Sequence, residues 1–311
     1  MSFEPINIIP YRPDLDADIL EIEKKALQGT LVKFEMLRDN YISRAAVFQA
    51  HGGYVGFNQY GRLVGAAIGA KVPLKINGKE FKAGFGLDMR VSPSWRNKGA
   101  AKQLTGFVMR NFFRPHNLTK NFITMKASNN PIMSVGLNLL KSSSVVDFSY
   151  LVIPTQTRIN VVSHAEQQTS FTTELMDRHD RFPEYISAYK DDLYAWHTYK
   201  MYRLKIDKIH PIAALSTMIV SLLKKKKYPA QGDEIKTATL FNLTGKNIIH
   251  INEALDHLGK QGVNYVNVVC KKNDATYHAL KSYAIFDYDH YLMADFTIGP
   301  NDKITIDVRC L

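Results

Sequence analysis

Apolar positions along this chain alternate between two spacings, and the points of change mark its elements. Strand-like apolar runs fall at Ile6-Asn7-Ile8-Ile9, Phe85 to Val91, Phe122 to Lys126 and Val146 to Ile153. Between the second and third runs, Ala101, Leu104, Phe107, Val108 and Phe112 recur at helical spacing, with Lys102, Gln103 and Arg110 on other faces. That pattern predicts an amphipathic helix. Pro93 ends the strand before it, because proline has no N–H for a ladder, and Gly99 lets the backbone open into the helix. Ser128-Asn129-Asn130-Pro131 reads as a turn into a further helix.

The turn between strand and helix carries the most chemistry. It runs Val91-Ser92-Pro93-Ser94-Trp95-Arg96-Asn97-Lys98-Gly99-Ala100-Ala101. The first N–H groups of a helix lack partners within it and point along the positive end of its dipole, so they attract an anion. Gly99, Ala100 and Ala101 are small enough to let an anion approach, while Arg96 and Lys98 add positive charge. Taken alone, such a turn also fits a solvated corner.

The order of residues resembles the acetyl-CoA motif of the GCN5-related N-acetyltransferase (GNAT) superfamily, Arg/Gln-x-x-Gly-x-Gly/Ala, with Arg96, Gly99 and Ala101 in its three positions. The resemblance implies an α/β fold with a mixed sheet, in which Arg96, Asn97, Lys98, Gly99, Ala100 and Ala101 hold the pyrophosphate of acetyl-CoA. It further implies a bulge in the preceding strand, where backbone groups near Met89 and Val91 hold the pantetheine arm and one N–H polarises the acyl carbonyl. Asn129 and Asn130 are expected to touch the coenzyme arm, or else to cap the following helix. The implied reaction is direct attack by the amine of a small molecule or amino acid in a ternary complex, with coenzyme A as product.

Proton removal calls for a carboxylate, and Asp88 is the first candidate. It interrupts the apolar strand Phe85-Gly86-Leu87-Asp88-Met89, where a charge is costly unless paired or functional. Arg90, two positions on, offers the alternative of an ion pair. Glu23 and Glu35 are candidate acceptor-binding residues, expected on the first two helical segments, where the family builds its acceptor pocket. The helix after Asn130 departs from the family pattern, since Ile132 to Lys141 contains no tyrosine to protonate the departing thiolate. A thiolate still leaves tolerably unaided, because thiols ionise near pH ~8.5.

A repeat extends the reading to the second half. Leu140 to Phe148 aligns without gaps against Leu280 to Tyr288, and each copy follows a strand and an Asn-containing turn. Ile248, Ile251, Leu255 and Leu258 form a helical stripe that ends near Gly262. The turn ahead of that stripe, Leu243-Thr244-Gly245-Lys246-Asn247, lacks the Arg-x-x-Gly-x-Ala pattern. The chain therefore looks like two tandem GNAT-like acyl-CoA acyltransferase domains with a degenerate second copy. The expected boundaries are 1–154 for the acetyl-CoA domain, 155–171 for a linker and 172–311 for the copy without a cofactor motif. An aromatic run from Tyr185 to Tyr202 could wall a pocket between the two or simply pack a core.

Composition narrows the classes. A chain of 311 residues that is 45% hydrophobic has material for two cores. Its two cysteines, Cys270 and Cys310, and its ten scattered histidines offer neither a disulfide framework nor a metal spacing, so a cytoplasmic protein without a metal is expected. No charged and apolar leader is recognisable at the N-terminus. The most apolar helix candidate, Pro211 to Leu223, is too short to span a bilayer, which needs about 20 residues. Its tail, Lys224 to Lys227, and a net charge of +11 permit acidic partners, yet no nucleic-acid module appears, and a nucleic acid is not the expected partner. Two alternatives stand beside a small-amine acetyltransferase: a non-catalytic acyl-CoA sensor or scaffold, and an acyltransferase for protein or tRNA-linked acceptors. Oligomeric state is not legible.

Overall fold

Asn77 and Gly78 adopt φ of 52° and 78°, the left-handed pair that suits the twist of a two-residue hairpin turn. They join β4 (Leu63–Ile76) to β5 (Lys79–Val91), which pair antiparallel along their length. The computed structural model describes residues 4–25, 27, 29, 32–129, 136, 144–161, 171–176, 182–211 and 229–311. Asn130, the helix expected after it apart from Gly136, and Pro211–Leu223 with its lysine tail apart from Pro211 lie outside the described residues.

Around this hairpin a large sheet is assembled. β1 (Asn7–Pro10) and β3 (Ala50–Phe57) continue it beyond β4, while α2 (Ala100–Val108) carries the chain from β5 to a parallel neighbour, β6 (Asn121–Lys126). The next described strand, β7 (Ser144–Pro154), does not lie beside β6. That place is taken by β15 (Phe286–Ala294), antiparallel to β6 on one side and to β7 on the other. β7 in turn pairs with β14 (Tyr265–Cys270), which runs parallel to β13 (Thr237–Phe241). β10 (Tyr194–Trp196) and β9 (Ile186–Ala188) complete that edge. β16 (Ile304–Asp307) pairs with the end of β4 and with β8 (Phe171–Glu174), giving 13 strands among the described residues.

The tandem order expected from the repeat is present. The unit β5-α2-β6-β7 recurs as β13, α3 (Ile251–Lys260), β14, α4 (Ala275–Leu280) and β15, and each copy holds one parallel pair joined through a helix. The final strands are exchanged between the copies, so β15 sits against β6 and β7 against β14.

Both faces of β4 are buried along most of its length, successive side chains going to opposite sides. Ala66, Ile68, Ala70, Val72 and Leu74 of β4 join a core with Ile19 of α1 (Asp16–Lys25), Tyr41 and Phe48. Ala67, Met89 and Val91 face the other way, onto Leu104 and Val108 of α2. β2 (Val32–Leu37), β11 (Arg203–Ile209) and β12 (Glu234–Ile235) form a separate three-stranded sheet, which packs on the large one where Ile206 and Ile235 meet Tyr265 and Val152. Glu35 is therefore a strand residue rather than the helical one expected, because β2 finds a distant partner in β11, with Lys205 opposite Glu35.

Candidate acyl-CoA site

Parallel strands β5 and β6 pair only through Gly84↔Asn121, Phe85↔Phe122 and Gly86↔Ile123. Beyond these residues Leu87–Val91 and Thr124–Lys126 no longer pair, so a wedge opens between the carboxyl ends of the two strands. A bulge in β5 accompanies the opening. Ile68 pairs with Leu87 and Ala66 with Arg90, which leaves Asp88 and Met89 opposite the lone Ala67. Asp88 carries the irregularity with φ of 49°. The bulge expected near Met89 and Val91 is thus present.

The turn from Arg96 to Ala101 follows β5. Asn97 and Gly99 take φ of 63° and 80°, and Gly99 is the N-cap of α2. No described residue accepts from the main-chain N–H of Asn97, Lys98, Gly99, Ala100 or Ala101. Arg96 is exposed and likewise has no side-chain partner among the described residues. Lys98, by contrast, bends away to Glu4 at 3.3 Å and over the Trp95 ring at 5.0 Å. Asn129 lies in the turn after β6, its N–H donating to Lys126 O at 3.0 Å.

The matching turn of the second half is closed. Thr244 and Asn247 exchange hydrogen bonds, Thr244 N to Asn247 Oδ1 at 2.8 Å and Asn247 N to Thr244 Oγ1 at 3.2 Å. Asn247 Nδ2 also donates to Asn242 O and Asp191 O, and Ile248 N donates to Thr244 O. Three of its amides, those of Thr244, Asn247 and Ile248, are already used, and β13 stays paired with β14 from Thr237 to Leu240.

Below the wedge, on the face opposite α2, the expected carboxylates meet arginines from distant sequence. Asp88 accepts from Arg38 Nη1 at 2.6 Å and Arg44 Nη1 at 2.7 Å, with a side chain only 1% exposed. Glu23 is gripped by the fork of Arg38, Nε at 2.9 Å and Nη2 at 3.1 Å, and by Arg90 Nε at 2.7 Å. Tyr41 Oη donates to the main-chain O of Asp88 at 2.6 Å and so holds the bulge from beneath. Burial works against the charge on Asp88, yet Arg44, Arg38 and Arg90 outweigh it and hold the carboxyl well below the usual carboxylate range. A carboxylate so tightly committed is a poor proton acceptor, so the role expected for Asp88 does not fit its surroundings. The partner weighed for it, Arg90, is 3.8 Å away and closer to Glu23.

The same face gathers residues that the spacing of the sequence did not single out. Tyr150 of β7 lies 4.2 Å from the ring of His290 on β15, and Arg44 stacks over the Tyr202 ring at 5.4 Å. Lys126 ends β6 opposite His290, with the rings of Tyr288 and Phe34 at 4.9 Å and 5.8 Å. Burial raises the pKa of Tyr150 and Tyr202. It also pushes His290 down to about 4, leaving that imidazole neutral. Only Tyr202 carried a sequence signal, as the last member of the aromatic run. The rest of that run packs the core, where Trp196 stacks on Tyr185 and Tyr189 meets His257. No group of metal-binding residues occurs among the described residues.

A wedge between two parallel strands, with a bulge on one and an open amide turn beyond it, defines the class: the chain has the GNAT fold. Among solved structures it resembles Saccharomyces cerevisiae N-myristoyltransferase with bound myristoyl-CoA, with a TM-score of 0.54, 9% identity, and coverage of 96% of this chain and 81% of that one. It also resembles a GCN5-related glucosamine N-acetyltransferase region of a fungal multi-domain GH3 β-N-acetylglucosaminidase, with a TM-score of 0.52, 11% identity, and coverage of 94% of this chain and 38% of that one. No protein-family model matches the sequence, and no curated protein matches it in sequence.

Proposed function

We propose that this chain is an acyl-CoA-dependent N-acyltransferase that moves an acetyl group from acetyl-CoA to the amine of a small molecule or amino acid. The observation that carries the reading is the set of five unpartnered amides, Asn97 to Ala101, at the mouth of the wedge. Unused N–H groups beside an exposed arginine suit a diphosphate. Arg96 and the five amides would hold that group, and the main-chain edges of Met89, Val91 and Asn129 would flank the arm that enters the wedge. When bound, the thioester supplies an acyl carbonyl open to attack by a neutral amine.

The chain's own residues set the geometry around that carbonyl. The bulge sets Asp88 and Met89 opposite one residue of β4, so that a backbone N–H of β5 would be available to the carbonyl, and the Glu23–Arg38–Asp88–Arg44 network with Tyr41 keeps the bulge in place. Asp88 and Glu23 are then positioning residues, and neither is left to bind an ammonium group. We assign coenzyme binding to residues 1–154 and a bracing role to 172–311, with 155–171 as the connection. The two cysteines, both free and buried, agree with a cytoplasmic setting.

Gly99→Val tests the assignment. The substitution places a β-branched side chain at positive φ in the middle of the amide turn, and calorimetry with acetyl-CoA is expected to show no binding while circular dichroism stays native. Retained binding would overturn the reading. Release of coenzyme A thiol in the presence of an amine panel separates an enzyme from a sensor that only binds acyl-CoA.

A further inference from the structure

We infer that Lys126 marks a subsite for a carboxylate on the acceptor, so the amine acylated here belongs to an amino acid rather than to a simple amine or polyamine. The inference rests on the acyltransferase reading and names its substrate class.

Lys126 is half-buried, and no carboxylate among the described residues pairs with it. Its neighbours are the faces of Tyr288 and Phe34, which attract a cation without neutralising it. Carboxylates near this face are committed elsewhere. Asp88 and Glu23 are bound by Arg38, Arg44 and Arg90, and Asp289 points to the other face of β15, where it accepts from Lys272 and Ser149. Glu35 follows Phe34 on β2 and so faces away from it. Among the described residues Lys126 is thus a cation on this face with no carboxylate partner, and burial lowers its pKa.

The groups around it are neutral and able to hydrogen-bond. The hydroxyls of Tyr150 and Tyr202 have no partner among the described residues. His290 uses Nδ1 toward Tyr288 O, which frees Nε2. Arg44, stacked over Tyr202, is already committed to Asp88 and Leu311 O, so Lys126 stands among these neutral donors as a cation still open to a partner, a setting that suits a singly charged, planar anion better than a dianionic phosphate. Lys126 and Thr124 share the face on which Thr124 donates to Cys310 O, opposite α2. Coenzyme from the α2 side and carboxylate from this side would then meet across the wedge.

The test uses the full chain, acetyl-CoA, and the twenty common amino acids beside their methyl esters, with thiol release as one readout. Calorimetry of N-acetyl amino acids against their methyl esters is the other, and it needs no turnover. Wild type is expected to favour the best free acid over its ester by at least about tenfold in kcat/KM. Lys126→Met should bring that ratio close to one, and Lys126→Arg should preserve it. Equal use of acid and ester, or an unchanged ratio in Lys126→Met, overturns the inference. Lys126→Arg as impaired as Lys126→Met also overturns it, because a group needed for its proton rather than its charge is not rescued by arginine. If acetyl-CoA binds but no amino acid is acylated and no N-acetyl amino acid binds, this inference fails while the donor reading stands. Failure of acetyl-CoA to bind sinks the donor reading instead.

Discussion

Removing the charge of Asp88 would leave Arg38 and Arg44 facing a neutral amide in a space closed to water. Asp88→Asn is therefore expected to cost about 3–5 kcal/mol of stability, measured by denaturant unfolding, as does breaking other buried pairs from one side. A variant that kept wild-type stability would contradict the network described here. Histidines dominate the response to mild acid. His290 and His197 are each pushed down to about 4, first by burial and also by nearby lysines, from an ordinary value of 6.5. The folded chain thus binds these protons more weakly than the unfolded one. Their cost is absent above pH 6.5, grows as pH falls below it and levels off near 4. His290→Gln should flatten this acid limb, by on the order of 2 kcal/mol at pH 4, in melts recorded between pH 4 and 7. At this scale the sequence exposed Asp88 as a charge that needed explaining. Its partners, Arg38 and Arg44, lie 50 and 44 residues away and were not legible.

Among elements, the bulge and the wedge depend on backbone approach. A Cβ on Gly65 would lie 2.3 Å from Arg90 O and 3.2 Å from Val91 Cα, both backbone atoms that cannot step aside. Gly65→Ala is expected to cost about 1–3 kcal/mol and to weaken acetyl-CoA binding, because the shift falls on the bulged strand. Stability read by thermal melts and affinity read by calorimetry should move together, and a change in neither would show that the bulge tolerates displacement. Strands at Phe122–Lys126 and Val146–Ile153 and the helix from Ala100 were legible because their apolar spacing is local. β2 was not, since a short segment with mixed spacing became a strand by pairing with β11, more than 160 residues away.

For the whole molecule, the exchange of final strands ties the copies together. β15 lies between β6 and β7, so a fragment ending near residue 160 would expose one edge of β6 and both edges of β7. Residues 1–160 alone are expected to show no cooperative thermal transition, and mixing with 161–311 should restore one. A sharp transition from the isolated fragment would contradict this. The internal repeat announced a second copy of the element order, but it could not announce which copy would receive each last strand.

What the amino-acid order determined by itself was the alternation of spacings and the Arg96 to Ala101 turn, written in residues a few positions apart, and the doubled sequence of elements, written in a repeat along the chain. The tertiary structure decided which charges pair, which strand neighbours which, and which turn keeps its amides open. Arg44, for instance, reaches Asp88 and also Leu311 O, 267 residues further along the chain. Such choices follow from Coulomb attraction and edge pairing through space, which no periodicity along the chain records.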